Sequence, residues 1–158
     1  MNFQAISEAA SHFVYGWMPT ILNLKLSKKE QVLGLLNKVK NEDNTLGEKE
    51  LRPLKSAINN SLVGVSKLLH FINPETYAIW DSRIIRFVTG NSTSYGIEDP
   101  EKYLEYLEGL RAITTHAEYA NLHQEIERKL SNKVTPFRAT ELVMFEAARI
   151  RSKYIGLA

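Results

Sequence analysis

The apolar residues of this chain recur every three or four positions, and between those stripes stand residues that begin or end helices. No stretch shows the alternation of a half-buried strand. Phe3, Ile6, Ala10, Phe13, Val14 and Trp17 predict an amphipathic helix over 2–17, ended by Pro19. Ser27-Lys28-Lys29-Glu30 is a capping box, in which hydroxyl and carboxylate satisfy free N–H groups at a helix start, and it opens a second helix to about residue 40. A polar loop over 41–47 leads to a third helix over 48–59, with Pro53 in its first turns. A fourth helix over 62–72 buries Leu62, Val65, Leu68, Leu69 and Ile72. It stops at Asn73-Pro74, because proline disfavours a helical conformation in the residue before it. Asp81-Ser82 caps a short fifth helix over 83–88, and Asp99-Pro100 starts a sixth, to about residue 115. The last two helices are expected over 118–130 and 136–153.

Eight helices in 158 residues predict an all-α fold, a single helical domain spanning 1–158 that can bury its core without disulfides or metals. The absence of cysteine excludes a zinc ribbon, an iron–sulfur cluster and a thiol nucleophile. His12, His70, His116 and His123 show no metal-ligand spacing, so neither a metal nor a cofactor is expected. No apolar run has the length of a membrane span, and residues 1–18 lack the basic flank of a signal peptide, so a cytoplasmic location is expected. A net charge of +2 permits a polyanionic partner without requiring one.

The most informative stretch is 61–88. Gly64-Val65-Ser66-Lys67 opens an apolar helix, Asn73-Pro74 turns the chain back, and Ile79-Trp80-Asp81-Ser82-Arg83 begins the next helix. Lys67 and Asp81 are 14 residues apart, and a helix, a tight return and a cap can bring two such positions face to face. These segments resemble the helix-hairpin-helix DNA glycosylases, in particular small proteins with an 8-oxoguanine DNA glycosylase type of fold. The resemblance implies DNA as partner, Lys67 as nucleophile and Asp81 as the acid that completes the site. It also implies that 136–145 forms the final helix, packed behind that site.

Those residue types suit the reaction. Excising a base breaks the bond at the anomeric carbon through an oxocarbenium-like state, whose charge a neighbouring carboxylate such as Asp81 stabilises. Lys67 can attack that carbon only as a neutral amine, which burial beside Val65 and Leu68 would favour, and the resulting Schiff base would permit strand cleavage. An everted base needs aromatic and polar walls, for which His70, Phe71, Tyr77 and Trp80 are the local candidates. Backbone N–H groups around Gly64 and Ser66, with Arg83 and Arg86, would hold phosphates.

Each assignment has a plainer counterpart. Lys67 can lie along the surface while Asp81 serves only as a cap; Trp80 and Phe71 can be core, and His70 a satisfied structural histidine. Arg83 and Arg86 can pair with acids such as Glu75. The alternative function is therefore a catalytically inactive helical module that binds DNA or a protein, for instance in phage–host conflict.

Overall fold

The computed structural model describes residues 29–41 and 45–155. Among these are seven helices and no strand: α1 (Lys29–Asn41), α2 (Glu48–Ala57), α3 (Leu62–Ile72), α4 (Ser82–Thr89), α5 (Pro100–Thr114), α6 (Tyr119–Leu130) and α7 (Pro136–Ile155). The all-α expectation is met. The helix expected over 2–17 and the Ser27 cap lie outside the described residues. Among those described, no helix is long and apolar enough to cross a membrane.

The starts and stops follow the local chemistry. Ser61 caps α3 by accepting the Gly64 N–H at 3.2 Å, and Asp99 caps α5 ahead of Pro100 by accepting the Glu101 N–H at 3.1 Å. Gly47 opens α2, where the Glu50 carboxylate turns back onto the Gly47 N–H at 2.8 Å and also takes Lys38 of α1 at 2.7 Å. The Lys38 ammonium, more than the backbone bond, holds the Glu50 carboxyl below its usual range. Pro53 lies inside α2, five residues after its first residue Glu48. Between α2 and α3, Asn59 and Asn60 both adopt left-handed backbone (φ 54° and 51°), which reverses the chain in two residues.

The buried stripes meet in one core. Leu36 and Val39 of α1, Leu51 and Leu54 of α2 and the apolar face of α3 join Trp80, Ile84 and Ile85, then Tyr103, Leu107 and Leu110 of α5 and Phe137 of α7. Helix α7 packs most extensively on α4 and also touches α5 and α6, while α1, α2 and α3 pack against one another. The segment from α3 to α4 is thus the seam between the two groups of helices.

Candidate functional site

The chain between α3 and α4 makes a single turn of its own, in which the Tyr77 N–H donates to Asn73 O at 3.1 Å, so the rest of its polar backbone must find partners elsewhere. Asn73 begins the return: its N–H donates to Leu69 O at 2.8 Å, its carbonyl-type side-chain oxygen accepts the Thr76 N–H at 3.2 Å, and its amide donates to Val39 O at 3.0 Å. Residues 77–80 are then held almost entirely by side chains. His70 Nδ1 meets Tyr77 O at 2.7 Å, the Tyr103 hydroxyl donates to Ala78 O at 3.0 Å, the Ile79 N–H donates to Glu141 at 3.3 Å, and the Trp80 N–H donates to the Ser66 hydroxyl at 3.0 Å. Three helices therefore fix four consecutive residues, and the segment they fix delivers Asp81.

Asp81 is the N-cap of α4. Its Oδ1 accepts the N–H groups of Arg83 at 2.8 Å and Ile84 at 2.9 Å, and among the described residues no donor meets its second oxygen. Ser66 and Trp80 each immediately precede one of the two predicted catalytic residues. The tie between Ser66 and Trp80 thus joins the two segments that carry Lys67 and Asp81, one residue before each. Lys67 is half-buried, and neither a hydrogen bond nor an ion pair joins it to Asp81 or to any other described residue.

The remaining predicted residues divide. Tyr77 is fully buried and its hydroxyl accepts the Leu46 N–H at 2.9 Å. Trp80 is 1% exposed, donates its indole N–H to Ile97 O at 2.8 Å and packs on Tyr106 with ring centroids 5.1 Å apart. An apolar groove of about 360 Å³ between α4 and α5 is lined by Trp80, Tyr106, Phe87, Leu110, Ile113 and Met144. Of the predicted pocket aromatics it includes Trp80 alone. Phe71, by contrast, is 52% exposed at the end of α3. Because a carbonyl only accepts, His70 must carry its proton on Nδ1; burial lowers its pKa, which leaves a neutral ring with Nε2 as acceptor.

The start of α3, where Gly64 and Ser66 were expected to hold phosphate, is already engaged. Glu98 Oε2 accepts the Leu62 N–H at 2.8 Å and pairs with Lys55 at 3.2 Å, while Ser61 Oγ takes the Gly64 N–H. Ser66 is 0% exposed and its hydroxyl donates to Val63 O at 2.9 Å. An incoming phosphate would have to displace Glu98. At the start of α4 the arrangement is different: Arg83 lies over the Phe145 ring at 4.5 Å, Arg86 donates to Ser82 O at 2.7 Å, and neither pairs with an acid among the described residues.

Two buried residues within the field of Asp81 escaped the sequence reading. Glu141 of α7 is 3% exposed, ion-paired with Arg138, and pushed up to about 7 chiefly by burial. The charge of Asp81 adds to that rise, whereas Arg138 and the Ile79 N–H oppose it. Tyr106 of α5 is 3% exposed, its hydroxyl has no hydrogen-bond partner among the described residues, and burial with the charges of Glu141 and Asp81 drives its pKa far upward. Leaving such a group unmet costs about 1–3 kcal/mol. A signal was present: Glu141 falls four residues after Phe137 and three before Met144, on the apolar stripe of its helix.

Comparison with protein-family models, with curated proteins and with solved structures finds no match to the chain.

Proposed function

We propose that this chain is a DNA glycosylase-like protein that excises a damaged or modified base, with Asp81 stabilising the charge that develops on the sugar and Lys67 as the nucleophile. The observation that supports the reading is the Ser66–Trp80 tie, which joins the residues immediately before Lys67 and Asp81. Preorganised charge is what such a reaction needs, since a carboxylate already fixed by two backbone N–H groups need not reorganise as the bond breaks. Asp81 keeps one oxygen free for that purpose. Arg83 and Arg86, on the helix that Asp81 caps, supply cations for the phosphates on either side of an everted nucleotide. Pocket and grip are reassigned accordingly: Phe71 and the Trp80 wall remain candidates for contact with a base, whereas Tyr77, His70 and Ser66 act as scaffold.

The test is incubation with duplexes carrying a panel of damaged or modified bases, followed by borohydride reduction. A covalent complex that forms with the parent chain and disappears in Lys67→Gln supports the reading. No trapping and no base release on any substrate removes it.

The second reading, an inactive helical module that binds DNA or a protein, is favoured by one feature: Glu98 fills the helix start at which a hairpin would meet phosphate. It expects partner binding without base release, unchanged in Lys67→Gln and Asp81→Asn.

A further inference from the structure

The groove between α4 and α5 follows the axis of a helix. Lys102, Tyr106, Leu110 and Ile113 line it along one stripe of α5, with Phe87 of α4 and Met144 of α7 across from them. That stripe runs for roughly 16 Å, about three helical turns, so the groove is long rather than round. Its mouth is apolar: Phe87 is 36% exposed, Val88 46% and Ile113 39%. Gly109 stands in the same wall, inside α5, where glycine is a poor helix former. A methyl group at that position would meet nothing within 4 Å, so packing within the fold does not require the glycine. What bare backbone does offer there is close approach by another chain.

A row of acids runs beside the groove. Glu101, Glu105 and Glu108 of α5 are all exposed, and none forms an ion pair among the described residues. On α6 and α7, by contrast, the exposed Glu125 and Glu146 pair with Arg128 and Arg149. Like charges three and four residues apart disfavour a helix on its own. Lys102, the one cation that lines the groove, does not neutralise the row. Its amine lies over the Tyr95 ring at 5.5 Å and against Gly96.

We propose that the groove docks a basic amphipathic helix of a partner protein, with apolar side chains on Tyr106, Leu110 and Ile113 and cations on Glu101, Glu105 and Glu108. Partners of this kind are recognised through apolar anchors three and four residues apart, which is the spacing of the α5 stripe. Their lysines and arginines supply the counter-charge that the acidic row lacks, and Gly109 lets the two backbones come close. The same row repels phosphates, so this surface is no part of a grip on DNA. Neither Lys67 nor Asp81 lines the groove, so the proposal does not rest on the glycosylase reading.

The probe is a synthetic helical peptide of about 14 residues, with leucine on one face and lysine on the other, titrated calorimetrically into the full chain. Saturable binding that weakens as salt is raised is the expected result. Binding should fall about tenfold or more in the triple variant Glu101→Gln, Glu105→Gln, Glu108→Gln. Gly109→Leu, which puts a side chain into the groove wall, should keep or raise Tm and also lose about tenfold or more. A matching peptide with glutamate in place of lysine should not bind. Undiminished binding in Gly109→Leu would put the peptide elsewhere on the surface, and undiminished binding in the triple variant, or by the glutamate peptide, would remove the role of charge. Any of these overturns the proposal, as does no binding by the full chain. A concentration-dependent dimer that Gly109→Leu dissolves would give the groove to a second copy of the chain and overturn it as well. Base release by the parent chain is untouched by every one of these outcomes.

Discussion

The starts of α3 and α4 are both capped by a side-chain oxygen, yet they are opposite in what they leave available. At α3 the protein supplies its own anion: Glu98 sits on the Leu62 N–H with Lys55 beside it, and the helix dipole is satisfied from within. At α4 the cap Asp81 uses one oxygen on two N–H groups, its second oxygen is unclaimed, and the two arginines that follow have no acidic partner among the described residues. A helix start can thus be a finished piece of structure or a half-used one, and only the half-used one can do work on a ligand.

The strongest way to break this comparison is Asp81→Asn, which retains an oxygen for capping and removes the charge. Base release is expected to fall on the order of 10²–10³-fold, measured by single-turnover assay, whereas Glu98→Gln at the other helix start should leave it within a few-fold. Equal losses would make the two starts equivalent.

Glu141, which anchors Ile79 two residues before Asp81, gives the next largest effect, on stability. Its carboxyl titrates near 7 in the fold against about 4.5 in an ordinary glutamate, so between those values the folded chain binds more protons than the unfolded one. The stabilisation is complete below about pH 4.5 and is lost as pH rises through about 7, a change of roughly 3 kcal/mol. Chemical denaturation of Glu141→Gln should lack that decline. His70 titrates with the opposite sign, its lowered pKa costing stability as pH falls below its unfolded value, so the difference between variant and parent is the quantity to follow.

Ser66→Ala would uncouple the two helix starts by leaving the Trp80 N–H unmet in the core. A loss of about 1–3 kcal/mol is expected in denaturant titration, with weaker covalent trapping; unchanged stability would mean that Ser66 is not what aligns Lys67 with Asp81. The smallest effect sharpens the contrast in charge. Replacing Arg83 or Arg86 by alanine should lower the salt slope of DNA binding by about one for each phosphate that the arginine had neutralised, while Glu98→Gln should not lower it. A slope that responds only at Glu98 would transfer the anion site to α3.

The helices were legible in the sequence because caps, proline stops and apolar spacing are local signals, as Asn73-Pro74, Asp81 and Asp99-Pro100 demonstrate. The packing of α7 on α4, with Glu141 reaching the Ile79 N–H, is a tertiary arrangement that no local signal carries. What sequence could not supply was the use of each polar side chain. His70 and Ser66 read as ligand-facing groups from their position beside the motif, but they serve the backbone of 77–80, whose need for partners arises only once α3, α5 and α7 have come together. The Glu98 carboxylate reaches Leu62 from 36 residues away, and no local pattern announces it.

Trp80 turns this arrangement into an optical instrument. Its indole is shielded from water, donates to Ile97 O, and lies against the Tyr106 ring, one residue from Asp81. The chain's other tryptophan is Trp17, so replacing that residue by phenylalanine would leave a single emitter whose colour and yield register any shift of the α5 wall. Occupancy of the site could then be followed by fluorescence in real time, without a label and before any bond is cut.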